Sequence, residues 1–182
     1  MAVTRGFFIG RFQPFHDGHR RVVETIAEEV DELVIGIGSA GASHSVKDPF
    51  TAGERIMMIT KTIFERDLDL VTYTVPIEDI ERNSVWVSHV QSLCPRFDVI
   101  YSHNPLVIRL FREAGLDVEE FPMYDRDELE GTRIRQEMVA DGEWRPLVPA
   151  PVEEVIDEID GDERLQQITR TDTDEGNDSP SA

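Results

Sequence analysis

The chain has 182 residues, 37 acidic against 18 basic, for a formal net charge of −19. That length suits one domain with a full core, and no run of about eighteen apolar residues is present to span a membrane. So acidic a balance also argues against a general nucleic-acid binder, since polyanions need a basic face.

Only two of the basic residues are lysines, Lys47 and Lys61. The acid is spread along the chain and not gathered in one block, which favours a surface adapted to high salt over an acidic docking patch. Cys94 is the only cysteine, so no internal disulfide is possible. No basic stretch followed by an apolar one opens the chain, and the expected location is the cytoplasm.

Phe7 to Ile9, bounded by Gly6 and Gly10, reads as a buried strand. Val22, Val23, Ile26, Ala27 and Val30 then recur at helical spacing. Leu33 to Ile37 is a second strand, followed by the small-residue loop Gly38 to Ser43. Thr51-Ala52-Gly53-Glu54 is a capping box opening a helix to about Glu65, with Met57 and Met58 as core filler.

Val71 to Val75 is a third strand, ended by Pro76, and Asn83 or Ser84 caps a helix carrying Trp86, Val90 and Leu93. Phe97 to Tyr101 is the fourth strand. Asn104 caps the next helix, with Pro105 at its first position and Gly115 past its end. Leu116 to Phe121 is a fifth, edge strand, and Tyr124 to Glu130 a charged loop. Thr132 caps a short helix with Arg133 and Arg135 in its first turn, and Val152 to Ile159 is amphipathic.

Strand and helix alternate five times, which predicts an α/β, Rossmann-like doubly wound parallel sheet in a single domain, residues 1–170. Residues 171–182 read as a disordered acidic tail. Ligands in such sheets lie at the carboxyl ends of the strands, so the loops after strands one, two and four should meet Thr132 and Arg135. No dinucleotide or P-loop glycine fingerprint follows a strand.

The chemistry gathers in Gly10-Arg11-Phe12-Gln13-Pro14-Phe15-His16-Asp17-Gly18-His19. A strand, a loop and a helix N-terminus make an anion site. His16 and His19 share one face of the helix's first turn, and Gly18 lets a phosphate approach the backbone. Zinc finds no third ligand at a recognisable spacing. His89 and His103 read as exposed or satisfied, although the loop after strand four is within reach of an adenine. No Ser-His-Asp or Cys-His set stands out, which suits a transfer that needs positioning and charge stabilisation but no protein nucleophile.

This stretch resembles the GRFQPFHxGH signature of the HxGH nucleotidyltransferases. With Ser39, Ser43-His44-Ser45, Asp48 to Arg55, Asn104 to Val107 and Gly131 to Arg135, the chain is similar to the archaeal nicotinamide-nucleotide (NMN) adenylyltransferases over roughly residues 5–168. The resemblance implies transfer of the adenylyl group of ATP, with Mg²⁺, to NMN, giving NAD and pyrophosphate. It implies catalytic roles for His16, His19, Arg11, Lys47 and Arg135. ATP would lie on Gly10, Arg11, Phe12, His16, Gly18, His19, Asn104, Gly131, Thr132 and Arg135, and NMN on Ile9, Ser39, Asp79, Asn83 and Trp86.

The resemblance also implies a homo-oligomer, hexamers among the known forms, and no protein-held metal. Lys47 departs from the pattern, which usually has arginine there; a lysine keeps the charge and loses the planar fork. Two alternatives remain from the residues alone: another HxGH nucleotidyltransferase with a different phosphate acceptor, and a nucleotide-sensing module without turnover. A class-I aminoacyl-tRNA synthetase shares the HxGH logic, but the chain is short and acidic for tRNA.

Overall fold

The computed structural model describes residues 3–121 and 130–175. Five parallel strands lie in the order β3-β2-β1-β4-β5. They are β1 (Arg5–Gly10), β2 (Glu32–Ile37), β3 (Val71–Pro76), β4 (Val99–Tyr101) and β5 (Asp117–Glu119). The connecting helices are α1 (Asp17–Ala27), α2 (Ala52–Glu65), α3 (Trp86–Leu93) and α4 (Pro105–Glu113). Then come α5 (Gly131–Val139), α6 (Ala150–Glu158) and α7 (Gly161–Glu175).

The two central strands are buried on both faces, which explains their continuous apolar runs. Phe7 pairs with Val34 and Ile100 in register and faces a core with Val90 and Phe111, under α3 and α4. Phe8 faces the opposite core, where Val22, Ile26, Met58, Ile134, Val152 and Leu165 come from α1, α2, α5, α6 and α7. The chain winds from β1 outward to β3, then crosses to β4 and β5. The direction of winding reverses between β1 and β4, where open α/β sheets hold ligands.

Local signals were reliable where the partner was near in sequence. Thr51 Oγ1 accepts from the Glu54 N–H and Glu54 Oε2 accepts from the Thr51 N–H, at 3.2 and 2.9 Å. Asn104 accepts from Leu106 and Val107, with Gly115 at a φ of +77° past the helix.

Several boundaries differ from the sequence reading. Asn83 and Ser84 do not cap α3: Asn83–Val85 is a 3-10 turn that runs into the helix, whose N-cap is Val85. Thr132 is the second residue of α5, preceded by Glu130 at the N-cap, so it is no cap either. β4 starts at Val99, because Phe97 leaves the ladder to stack on Phe7 at 4.5 Å. β5 is shorter than Leu116–Phe121. The charged loop Tyr124–Glu130 lies outside the described residues except for Glu130.

Residues 171–175, expected in the tail, continue α7; residues 176–182 lie outside the described residues. Little of α7 is apolar, and tertiary contacts hold it. Leu165 is fully buried, Gln166 donates to the Met138 carbonyl at 3.0 Å, and Arg164 grips Glu54 with two bonds of 2.9 and 2.8 Å.

Glu54 thus serves both the start of α2 and the docking of α7. Burial alone would raise its pKa; the Arg164 bonds and the Thr51 N–H outweigh this and lower it. A depressed carboxylate stabilises the fold above its unfolded value near 4.3 and loses that contribution as pH falls through the folded value. Glu54→Ala is therefore expected to cost about 2 kcal/mol at neutral pH, seen as a melting temperature lower by about 4–8 °C. The gap to the unsubstituted protein should close as pH falls through the lowered folded value of Glu54; a gap that stays unchanged down to the acid limit of folding would refute the ion-pair account.

Candidate active site

β1 ends at Gly10 and the chain turns sharply. Phe12 takes a φ of +53°, and its ring folds back so far that a Cβ on Gly10 would lie 2.8 Å from it. Only glycine fits there. Gln13 is 4 % exposed, and its amide pairs with both backbone groups of Phe50, at 2.8 and 2.9 Å. The Gln13 carbonyl accepts from Arg135 Nη1 at 2.7 Å, which ties α5 to the loop after β1.

His16 is the N-cap of α1, and its backbone N–H donates to His19 Nδ1 at 3.3 Å. That bond makes Nδ1 of His19 an acceptor, so the neutral ring carries its proton on Nε2. The two imidazoles stack at 3.6 Å, with the Phe12 ring edge-on to His19 at 4.8 Å and Phe15 beside it at 5.5 Å. Burial lowers His16 to about 3, with His103 adding to the effect. Burial holds His19 well below its ordinary value, with His16 and His103 adding to the effect. Both are neutral donors at physiological pH. His16 Nδ1 is buried without a hydrogen-bond partner among the described residues, an expense that a bound ligand would relieve.

These groups face a cleft of about 520 Å³ between the loops after β1 and β4 and the start of α5. Of the expected residues, Arg11, Phe12, His16, Gly18, His19, Asn104, Gly131, Thr132 and Arg135 line it together. Gly10 lies beneath, against the Phe12 ring. Arg135 is oriented by the Gln13 and Val46 carbonyls and reaches Thr132 Oγ1 at 3.4 Å. Burial and the nearby Arg11 lower its pKa, opposed by Asp48 and Glu130. Arg11 is half-exposed and 3.4 Å from Asp48. In a chain so acidic overall, two guanidinia beside a helix N-terminus make a local site for polyphosphate.

Lys47 is exposed and does not line the cleft, but its neighbours do reach the site: Val46 holds Arg135 and Asp48 meets Arg11. The expected pyridine-nucleotide residues lie to the other side. Ser39 follows β2 with a φ of +49°, and Asp79 and Asn83 are exposed. Ile9 and Trp86 are half-buried on the Phe7 core, with Trp86 edge-on to Phe111 at 5.5 Å. None of the five lines the cleft. Gln13, His103, Phe121 and Glu130 line it as well, and of these the sequence reading sets only the loop holding His103 near a ligand, an adenine. His103, two residues past the end of β4, carried a usable signal; Gln13 acts through a partner 37 residues away and carried none. Among the described residues, no three His, Cys, Asp or Glu side chains gather as a metal site.

The chain is a nucleotidyltransferase: the cytidylyltransferase-like family model matches residues 7–137, a stretch that carries the histidine pair, both arginines and the parallel sheet from Phe7 onward. The chain is 65% identical to the nicotinamide-nucleotide adenylyltransferase of Halobacterium salinarum, over 97% of this chain and 98% of that one. It is 64% identical to that of Haloarcula marismortui, over 93% and 89%. The chain belongs to the nicotinamide-nucleotide adenylyltransferase family. Its fold is shared with a bifunctional NMN adenylyltransferase/ADP ribose pyrophosphatase from Francisella tularensis, complexed with AMP and a Mn ion. The TM-score is 0.74 at 22% identity, over 94% of this chain and 53% of that one.

Proposed function

We propose that His16 and His19, with Arg11 and Arg135, are the groups by which this nicotinamide-nucleotide adenylyltransferase makes NAD. The reaction is transfer of the adenylyl group of ATP to NMN. A phosphate oxygen of NMN attacks the α-phosphorus in line, the bond to the β-phosphate oxygen breaks, and pyrophosphate leaves. The observation that carries the assignment is the neutral, stacked histidine pair at the N-terminus of α1, in one cleft with two guanidinia.

Charge builds on the α-phosphate oxygens as the bond to pyrophosphate lengthens. His19 Nε2–H, His16 and the amides around Gly18 donate to those oxygens without reorganising, which is where fixed donors lower a barrier most. Arg11 and Arg135 hold the β and γ phosphates as two-pronged donors, joined by Thr132 and the amides opening α5 from Gly131. Gly10 and Phe12 shape the floor, and adenine lies by Asn104 and His103.

NMN lies along Ile9 and Ser39, its pyridinium on Trp86, its carboxamide against Asn83 and Asp79 favouring the positive ring. Lys47, between the residues that meet Arg135 and Arg11, adds charge at the outer edge of the phosphate site. A divalent cation arriving with ATP, Mg²⁺ in this reading, neutralises phosphate charge and is held by the nucleotide itself. The working protein is a cytoplasmic homo-oligomer of one nucleotidyltransferase domain.

Pyrophosphate release in high salt, with ATP and either NMN, nicotinic acid mononucleotide, phosphopantetheine or no acceptor, tests this. Release with NMN, with NAD appearing, is the expected result. ATP binding with no release from any acceptor would leave a sensor and overturn the assignment.

A further inference from the structure

We infer that Arg55, on the first turn of α2, is a positioning residue that fixes the spacing between the ATP half and the NMN half of the site. Its side chain is 0 % exposed. Nη1 donates to the carbonyls of Arg11 and Gly38, both at 2.8 Å, Nη2 to that of Ser39 at 3.2 Å, and Nε to that of Thr51 at 3.2 Å. One planar group therefore bridges the chain just beyond β1 to the chain just beyond β2. Beside it the Gly38 N–H donates to the Gly10 carbonyl at the end of β1, at 2.9 Å.

Among the described residues no carboxylate comes within ion-pairing distance of Arg55. Burying a guanidinium so costs free energy that an aliphatic side chain would not. What an aliphatic residue cannot do is satisfy carbonyls from both strand ends with one rigid fork. Burial opposes its charge most, with Arg11 adding to that, while Asp48, Asp79 and Glu54 favour the charge from a distance. Arg11 stands on the ATP side and Ser39 on the NMN side, so the inference rests on the assignment of halves above. A change in the fork moves one half against the other while leaving each half built.

The test is Arg55→Lys, which keeps the charge and loses the fork. Binding of ATP alone and of NMN alone should stay within about threefold, while NAD, which spans both halves, binds at least about tenfold more weakly and kcat falls about 100-fold. Equal weakening of all three ligands, or NAD binding and kcat unchanged, would overturn the role. If neither this variant nor Arg55→Gln folds, hydrogen exchange on the unsubstituted protein decides. ATP alone should slow exchange at residues 36–42 through the fork, and no change there would refute it. An inactive unsubstituted enzyme would instead refute the assignment of function, and the exchange result would stand apart from it.

Discussion

His19→Ala is expected to lower kcat by about 10²–10³ while ATP affinity changes only a few-fold. The magnitude is that of removing one fixed donor from a developing oxyanion. The His16 N–H bond to Nδ1 commits Nε2–H to donation, so alanine removes the donor and leaves nothing in its place. The substitution also opens space between Phe12, Phe15 and His16, so circular dichroism and a melting curve must accompany the rates. A folded variant with near-unsubstituted turnover would refute the role.

The pH dependence is a second reading of the same pair. Both imidazoles are lowered by burial, His16 to about 3. The rate should therefore run flat through the range near 6.5 where free histidine titrates, because the reacting form is the neutral donor. Stability should not be flat there. The unfolded chain takes up these protons near 6.5 and the folded chain does not. Stability is full above about pH 6.5 and falls as pH drops toward 3. His16→Asn should shallow that fall between about pH 6.5 and 4.5, above the window in which Glu54 acts. A rate inflection near 6.5 that vanishes in this variant would mean that a charged imidazole carries the reaction.

The parts of this site that lie within a few residues of each other were legible in the sequence. Gly10 to His19 gave strand, turn and helix start from its own spacing, and Thr51 with Glu54 announced a capping box that forms as read. What was not legible depends on partners far along the chain. Arg55 looked like one more helix residue, and its burial is visible only once the carbonyls of Arg11 and Ser39 are in place. Arg135 meets Gln13 across 122 residues, and its role came from family resemblance and not from spacing. α7 has little apolar surface, and it is docked by the Arg164 bonds to Glu54 and by the burial of Leu165, neither of which its own sequence reveals. Thr132 and Asn83 looked like caps because polar residues before a helical pattern usually are, but both helices begin earlier or through a 3-10 turn.

Lowering salt from molar to about 10 mM is expected to drop the melting temperature by about 10 °C or more, the largest stability change any condition here should produce. Two effects of salt oppose each other. Salt weakens attractive surface pairs such as Arg145 with Asp157 or Arg112 with Glu120, and each of these is worth at most about 1 kcal/mol. Salt also screens the repulsion of a chain carrying a net charge of −19, and that repulsion acts between all charges at once. At 10 mM the screening length is about 30 Å, comparable with the whole domain; at 1 M it is about 3 Å, shorter than most charge separations. Repulsion therefore dominates in dilute salt. It should fall hardest on elements held by few apolar contacts, α7 first. Arg11 and Arg135 respond in the opposite sense, since low salt strengthens their hold on a polyphosphate. Added ATP with Mg²⁺ should thus recover part of the lost melting temperature at 10 mM and rather less at 1 M. A melting temperature that rises as salt is removed would mean that the paired charges outweigh the excess, and the reading of the acidic surface would be wrong.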